Sequence, residues 1–130
     1  MRASTTVLLV DDNPDLLESM RTALEGRGYR VLTAGDGRQG LTLARAESPA
    51  LVVVDMMLPE KSGFVVLDEL KGAPPAPHVI MTTANEGTAH RAYAQALGVD
   101  DYLRKPFPLP LLLERVQRLC PAPPPASASA

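Results

Sequence analysis

Two acids, Asp11 and Asp12, directly follow the apolar run at residues 7–10, and a third, Asp55, follows Leu-Val-Val-Val at residues 51–54. Thr83 ends a further apolar stretch and Lys105 follows the short stretch 101–104. A carboxylate in a dry interior costs several kcal/mol, so acids at the ends of buried strands call for cationic company. Three carboxylates held together repel one another, and the usual remedies are a shared proton or a hard cation. Mg2+ answers best, because it favours oxygen ligands, takes one or two carboxylates and commonly shares a phosphate with the protein. Lysine adds a point charge and threonine a hydroxyl donor for a tetrahedral anion. A carboxylate oxygen left over, that of Asp55, can then attack phosphorus, because phosphoryl transfer needs mainly alignment and charge neutralisation.

For this to happen the five residues must meet, and the elements between them predict that they do. Residues 51–54 carry no polar alternation, as a strand covered on both faces requires. Residues 5–10, 29–33, 78–82 and 101–104 read as four more strands, the second less uniformly apolar, as an edge strand would be. Asn13 and Pro14 suit the start of a first helix, with Leu16, Leu17, Met20, Ala23 and Leu24 at helical spacing and a stop near Gly26 or Gly28. Asp36-Gly-Arg-Gln39 resembles a capping box opening a second helix, with Leu41 and Ala44 inward and Pro49 beyond its end. A third helix carries Phe64, Leu67 and Leu70, and Gly72, Pro74, Pro75 and Pro77 make a stiff connector after it. A fourth is expected from about residue 86 to 97 with Ala89, Ala92, Tyr93 and Ala96 along one side, and a fifth with Leu109, Leu112, Leu113, Val116 and Leu119.

Strands alternating with helices predict an α/β fold, a doubly wound five-stranded parallel sheet in the order 2-1-3-4-5 with five helices. Strands one and three then neighbour each other at the switch point, where ligands bind beyond the carboxyl ends. Asp11, Asp12 and Asp55 converge there, and strands four and five bring Thr83 and Lys105 to the same rim.

The chain of 130 residues has 13 basic and 15 acidic residues, a net charge of -2, which leaves no electrostatic footprint for nucleic acid or an anionic membrane. A single cysteine, Cys120, excludes an internal disulfide and a cysteine-based zinc cluster, and points to a reducing compartment. The apolar run near the N-terminus is too short for a signal-peptide core, so a cytoplasmic protein is expected. Residues 1–120 read as one domain, and 121–130, only Pro, Ala and Ser, as a disordered tail or the start of a linker.

From about residue 5 to 119 the chain resembles the receiver domain of two-component response regulators, flavodoxin-like in fold and close to the chemotaxis-regulator type. The resemblance rests on Asp11-Asp12, Asp55, Pro59 and Gly63, Thr83 in Met-Thr-Thr-Ala, and Lys105-Pro106-Phe107 after Gly-Val-Asp-Asp-Tyr. It implies that Asp55 takes a phosphoryl group from a histidine kinase or a histidine phosphotransfer protein. It further implies that Asp12, Asp55 and the backbone carbonyl of Met57 bind Mg2+ directly, with Asp11 acting mostly through water. Lys105 would contact the phosphoryl group and Thr83 would swing toward it. Tyr102 would then turn inward and remodel the face made by the fourth helix, fifth strand and fifth helix, which serves a downstream protein target or a phosphorylation-dependent dimer. On this reading the protein is a phosphoacceptor rather than an enzyme, with assisted autophosphorylation and slow autodephosphorylation, and without direct binding to nucleic acid.

Taken singly, the same residues have plainer readings. Paired acids after a strand suit a helix start, Lys105 before a proline fits a solvated loop, Thr83 can cap a helix, and Tyr102 can pack without switching. His78 and His90 lie away from the acidic rim. A phosphatase of the haloacid dehalogenase type also uses a strand-end aspartate, but it resembles Asp-x-Asp, and here the second position is Met57, which cannot donate a proton. A flavodoxin-like carrier would place flavin phosphate beside Asp11 and Asp12, which repel it. A receiver-like scaffold that is never phosphorylated has no need of all five motif residues. The resemblance implies that Met57 and Asn85 stand at the two positions flanking the route of attacking water, and an apolar Met57 there predicts slow dephosphorylation.

Overall fold

The computed structural model describes residues 5–84 and 88–122. Five strands, β1 (Thr6–Val10), β2 (Arg30–Ala34), β3 (Leu51–Asp55), β4 (His78–Thr83) and β5 (Asp101–Arg104), alternate with five helices, α1 (Pro14–Glu25), α2 (Gly37–Glu47), α3 (Gly63–Lys71), α4 (Thr88–Ala96) and α5 (Leu109–Leu119). The strands form one parallel sheet in the order β2-β1-β3-β4-β5, with the expected switch point between β1 and β3.

Strand side chains alternate between two cores. Leu8, Val10, Val52 and Val54 pack with Leu41 and Ala44 of α2, Val66, Leu67 and Leu70 of α3 and Ala94 of α4. Val7, Leu9, Leu51, Val53 and Leu103 pack on the other face with Met20 and Leu24 of α1 and Leu112, Leu113 and Val116 of α5. Each fully buried side chain of this kind contributes about 1.5–3 kcal/mol, which is why β3, with both faces covered, is apolar throughout. Ala122 still packs against the second core; residues 123–130 of the expected tail lie outside the described residues.

Local chemistry sets the helix boundaries. Asn13 Oδ1 accepts from the Asp15 and Leu16 amides at 3.0 and 3.2 Å, and Asp36 Oδ1 from the Gln39 amide at 2.8 Å, caps that contribute about 1 kcal/mol each. The Gln39 side chain completes the box one residue early, on the Gly35 amide at 3.1 Å. Gly98 closes α4 with φ +95, a conformation that favours glycine.

α4 departs from its expected face. Ala89, Ala92, Tyr93 and Ala96 lie outward and exposed, while Ala94 is buried with Leu97 packed beside it. His90 stacks on Phe64 at 5.9 Å between ring centroids, and Tyr93 meets Phe64 edge-on at 5.0 Å. The part of the helix predicted before residue 88, residues 86–87, lies outside the described residues.

Candidate functional site

Strand pleating and register account for the convergence at the rim. Leu9, Val53 and Leu103 all belong to the α1–α5 core, and Asp11, Asp55 and Lys105 each lie two residues further along the chain, on the same parity. Val10 pairs with Val54, so Asp11 and Asp55 leave adjacent strands at the same level. The Met56 amide donates to the Thr82 carbonyl at 2.8 Å and the Lys105 amide to the Thr83 carbonyl at 2.7 Å, which carries sheet pairing into the loops behind the site.

Lys105 Nζ donates to Asp11 Oδ2 at 2.7 Å and lies 3.5 Å from Asp55 Oδ1. Asp11 Oδ1 accepts from the Asn13 amide at 2.9 Å, so both oxygens of this buried acid are engaged. Asp12 is exposed, yet ligand oxygens of Asp11, Asp12 and Asp55 all lie within 4.8 Å of one another. Asp55, 6% exposed, has a pKa raised above the ordinary carboxylate value by burial; the Lys105 charge opposes this, Asp11 reinforces it, and the Met57 amide hydrogen bond opposes it. Burial works against the Lys105 charge too, but the Asp11 hydrogen bond and both carboxylates outweigh it and raise its pKa.

This is a set of hard oxygen donors with more negative charge than one ammonium can neutralise, and it fits a small divalent cation. Asp11, Asp12 and Asp55 are the side chains that could hold one.

Thr83 and Tyr102 lie on the neighbouring strands. Thr83 is fully buried one residue beyond Thr82, which pairs with Asp55, and its hydroxyl lies 3.6 Å from Met56 Sδ. Tyr102 is half-buried against the first core, with the Arg91 guanidinium 5.5 Å from its ring centroid. Its hydroxyl is buried with no hydrogen-bond partner among the described residues. Met57 is 68% exposed and its side chain stands clear of the acids' packing.

Two contributors were not visible as chemistry in the sequence. The Met57 amide lies close enough to the Asp55 carboxylate to draw its pKa down, a backbone effect that no residue type announces. Gly63 stood out only as a motif residue; a Cβ there would overlap the Asp55 carbonyl oxygen and sit 2.8 Å from Met56 Cα, so only glycine lets α3 start against the backbone of Asp55.

A family model described as the response regulator receiver domain matches residues 7–117. The chain belongs to that family. Among its relatives, the probable transcriptional regulatory protein TcrX of Mycobacterium tuberculosis is 40% identical over 114 residues, covering 88% of this chain and 49% of TcrX. The transcriptional regulatory protein KdpE of M. tuberculosis is 39% identical over 113 residues, covering 87% of this chain and 50% of that protein. The chain thus spans about half the length of the relatives it matches. Receiver domains of known structure superpose closely: a CheY-like receiver domain protein from Methanospirillum hungatei at TM-score 0.85 and 28% identity over 89% of this chain and 93% of its own. The receiver domain of the Francisella response regulator 1452 follows at TM-score 0.83 and 30% identity, covering 88% of this chain and 95% of its own.

Proposed function

We propose that Asp55 is the phosphoacceptor of this receiver domain, fed by a histidine kinase or a histidine phosphotransfer protein. One observation carries the assignment: of the two buried acids at the rim, Asp11 has both oxygens engaged, by Lys105 and the Asn13 amide, while Asp55 keeps its lysine at 3.5 Å and its pKa is raised. An Asp55 oxygen forms the new P–O bond, the P–N bond of the phosphohistidine donor breaks, and the leaving nitrogen takes up a proton. Asp12, Asp55 and the Met57 carbonyl would hold Mg2+, with Asp11 supporting the site. When bound, that ion neutralises the charge that would otherwise repel the incoming phosphoryl group. Lys105 shifts the short way from Asp11 toward the phosphoryl oxygens, and Thr83 turns its hydroxyl from Met56 to the same group.

The added charge and acceptor oxygens recruit the Thr83 hydroxyl. Tyr102 follows, and the α4–β5–α5 face changes for a downstream protein or a second copy. The relatives named as transcriptional regulators are about twice as long as this chain, so nucleic-acid binding is not assigned to these residues. No helix among the described residues is long and apolar enough to cross a membrane, and we place the domain in the cytoplasm on the strength of its cysteine usage and family. Without a proton donor two residues after Asp55, the domain carries a phosphoryl group rather than turning over a separate substrate.

The test is intact mass after incubation with phosphoramidate and Mg2+. Wild type gains about 80 Da, removed by hydroxylamine, while Asp55→Asn or chelation of the metal abolishes the gain. An unmodified wild type, or an Asp55→Asn variant modified at the wild-type rate, overturns the assignment.

A further inference from the structure

The loop at residues 56–62, between β3 and α3, is fastened to a helix from a different part of the chain. The Pro59 carbonyl accepts from the Lys61 amide at 2.8 Å and from the Gly37 amide, the first residue of α2, at 3.3 Å. Glu60, between Pro59 and Lys61, has φ +71, a left-handed conformation that costs a non-glycine residue energy and persists only where the surroundings enforce it. A Cβ on Gly37 would overlap the Lys61 carbonyl oxygen and sit 2.8 Å from Lys61 Cβ and 3.0 Å from its carbonyl carbon. Two of those three atoms are backbone and cannot rotate away. At its two ends the loop closes against the acceptor's backbone: the Gly63 amide donates to the Met56 carbonyl at 2.9 Å, and a Cβ on Gly63 would overlap the Asp55 carbonyl oxygen.

We propose that Gly37 is a positioning residue for phosphoryl acceptance: its missing side chain lets the loop seat against α2, which sets the Met57 backbone, and through it Asp55 and the cation site. The inference rests on the reading of Asp55 and Met57 given above. Any side chain at position 37 lifts the loop off α2, and the displacement reaches Met57 because residues 56–62 are pinned at both ends. Outer contacts that orient ligands shift metal affinity by about 10–100-fold when lost.

The test reads Mg2+ binding without a phosphodonor, from amide NMR shifts of residues 55–57 during titration. Gly37→Ala raises the Mg2+ concentration at half-saturation by about tenfold. Leu41→Ala, a cavity one turn further along the same helix, lowers the melting temperature and leaves that midpoint in place. A wild-type midpoint in Gly37→Ala, or an equal shift in Leu41→Ala, overturns the proposal. Should Gly37→Ala fail to fold, Lys61→Gly and Lys61→Ala replace it. Both lose the Lys61–Glu69 ion pair, but only the glycine variant loses the Cβ that packs on Gly37, so its midpoint rises above that of the alanine variant; equal midpoints overturn the proposal. A wild type that shows no Mg2+ response refutes the metal reading itself and this inference with it, whereas a responsive wild type matched by Gly37→Ala refutes the inference alone.

Discussion

Each end of the sheet holds an aspartate against a lysine at 2.7 Å, Asp11 with Lys105 at the carboxyl ends of the strands and Asp100 with Lys71 at the amino ends. The surroundings differ. Asp100 accepts from Lys71, from the Val79 amide at 2.7 Å and faces His78 Nδ1 at 3.5 Å, while Lys71 also donates to the Pro77 carbonyl at 2.9 Å. Burial raises the Asp100 pKa, but these partners outweigh it and the carboxyl lies below its ordinary value. One acid and one base are matched, and the pair fastens the end of α3 to the starts of β4 and β5. At the rim three carboxylates share one ammonium, and Asp55 is pushed the other way. The same pairing is a fastener where charges balance and, on the function proposed above, part of a reactive site where acids outnumber bases.

Removing each lysine separates the two roles most sharply. Lys105→Ala lowers the rate of phosphoryl uptake from phosphoramidate on the order of a hundredfold, while Lys71→Ala leaves it within about twofold and costs about 2 kcal/mol of stability, measured by urea unfolding. An Asp100→Asn variant with impaired uptake and full stability would erase the distinction.

The next effect is in the pH dependence of stability, where the two acids have opposite signs. Asp100 has a lowered folded pKa, so its contribution is present above the unfolded value near 3.8 and is lost as pH falls through the folded pKa. Asp55 has a raised folded pKa, so the folded state binds its proton more tightly, and stability falls as pH rises from 3.8 through the folded pKa. Above that window the ionised Asp55 is a standing penalty in the metal-free protein. Asp55→Asn therefore raises the melting temperature at neutral pH by about 3 °C, and Asp100→Asn lowers it. Saturating Mg2+ narrows the gain in Asp55→Asn by stabilising the wild type. The smallest effect concerns Met57: an amide there can position attacking water, so Met57→Asn shortens the lifetime of the phosphorylated form several-fold, and a lifetime unchanged or longer contradicts this.

The fold was legible because strands covered on both faces leave unbroken apolar runs, and residues 7–10 and 51–54 say so without help from neighbours. The gathering of Asp11, Asp12 and Asp55 was legible for the same reason, since the acids follow such runs and the strand order aligns their ends, while Lys105 was placed by the short strand before it. The α4 face was not. Alanine falls on several sides of that helix, so Ala89, Ala92 and Ala96 make as good a stripe as the buried Ala94, and only tertiary packing chooses between them. The Lys71–Asp100 pair joins residues 29 apart in the chain, which no periodicity encodes. Gly37 read as part of a helix cap; that it leaves room for Lys61 depends on a contact between the start of α2 and a distant loop, whose approach spacing cannot predict.

Peptide mapping of the wild-type protein after phosphoramidate and Mg2+ tests the contrast between the two ends of the sheet most directly. The account predicts a single hydroxylamine-labile phosphoryl group, on Asp55, and none on Asp100. A group found on Asp11, Asp12 or Asp100 in its place, or no modified peptide at all, would contradict it.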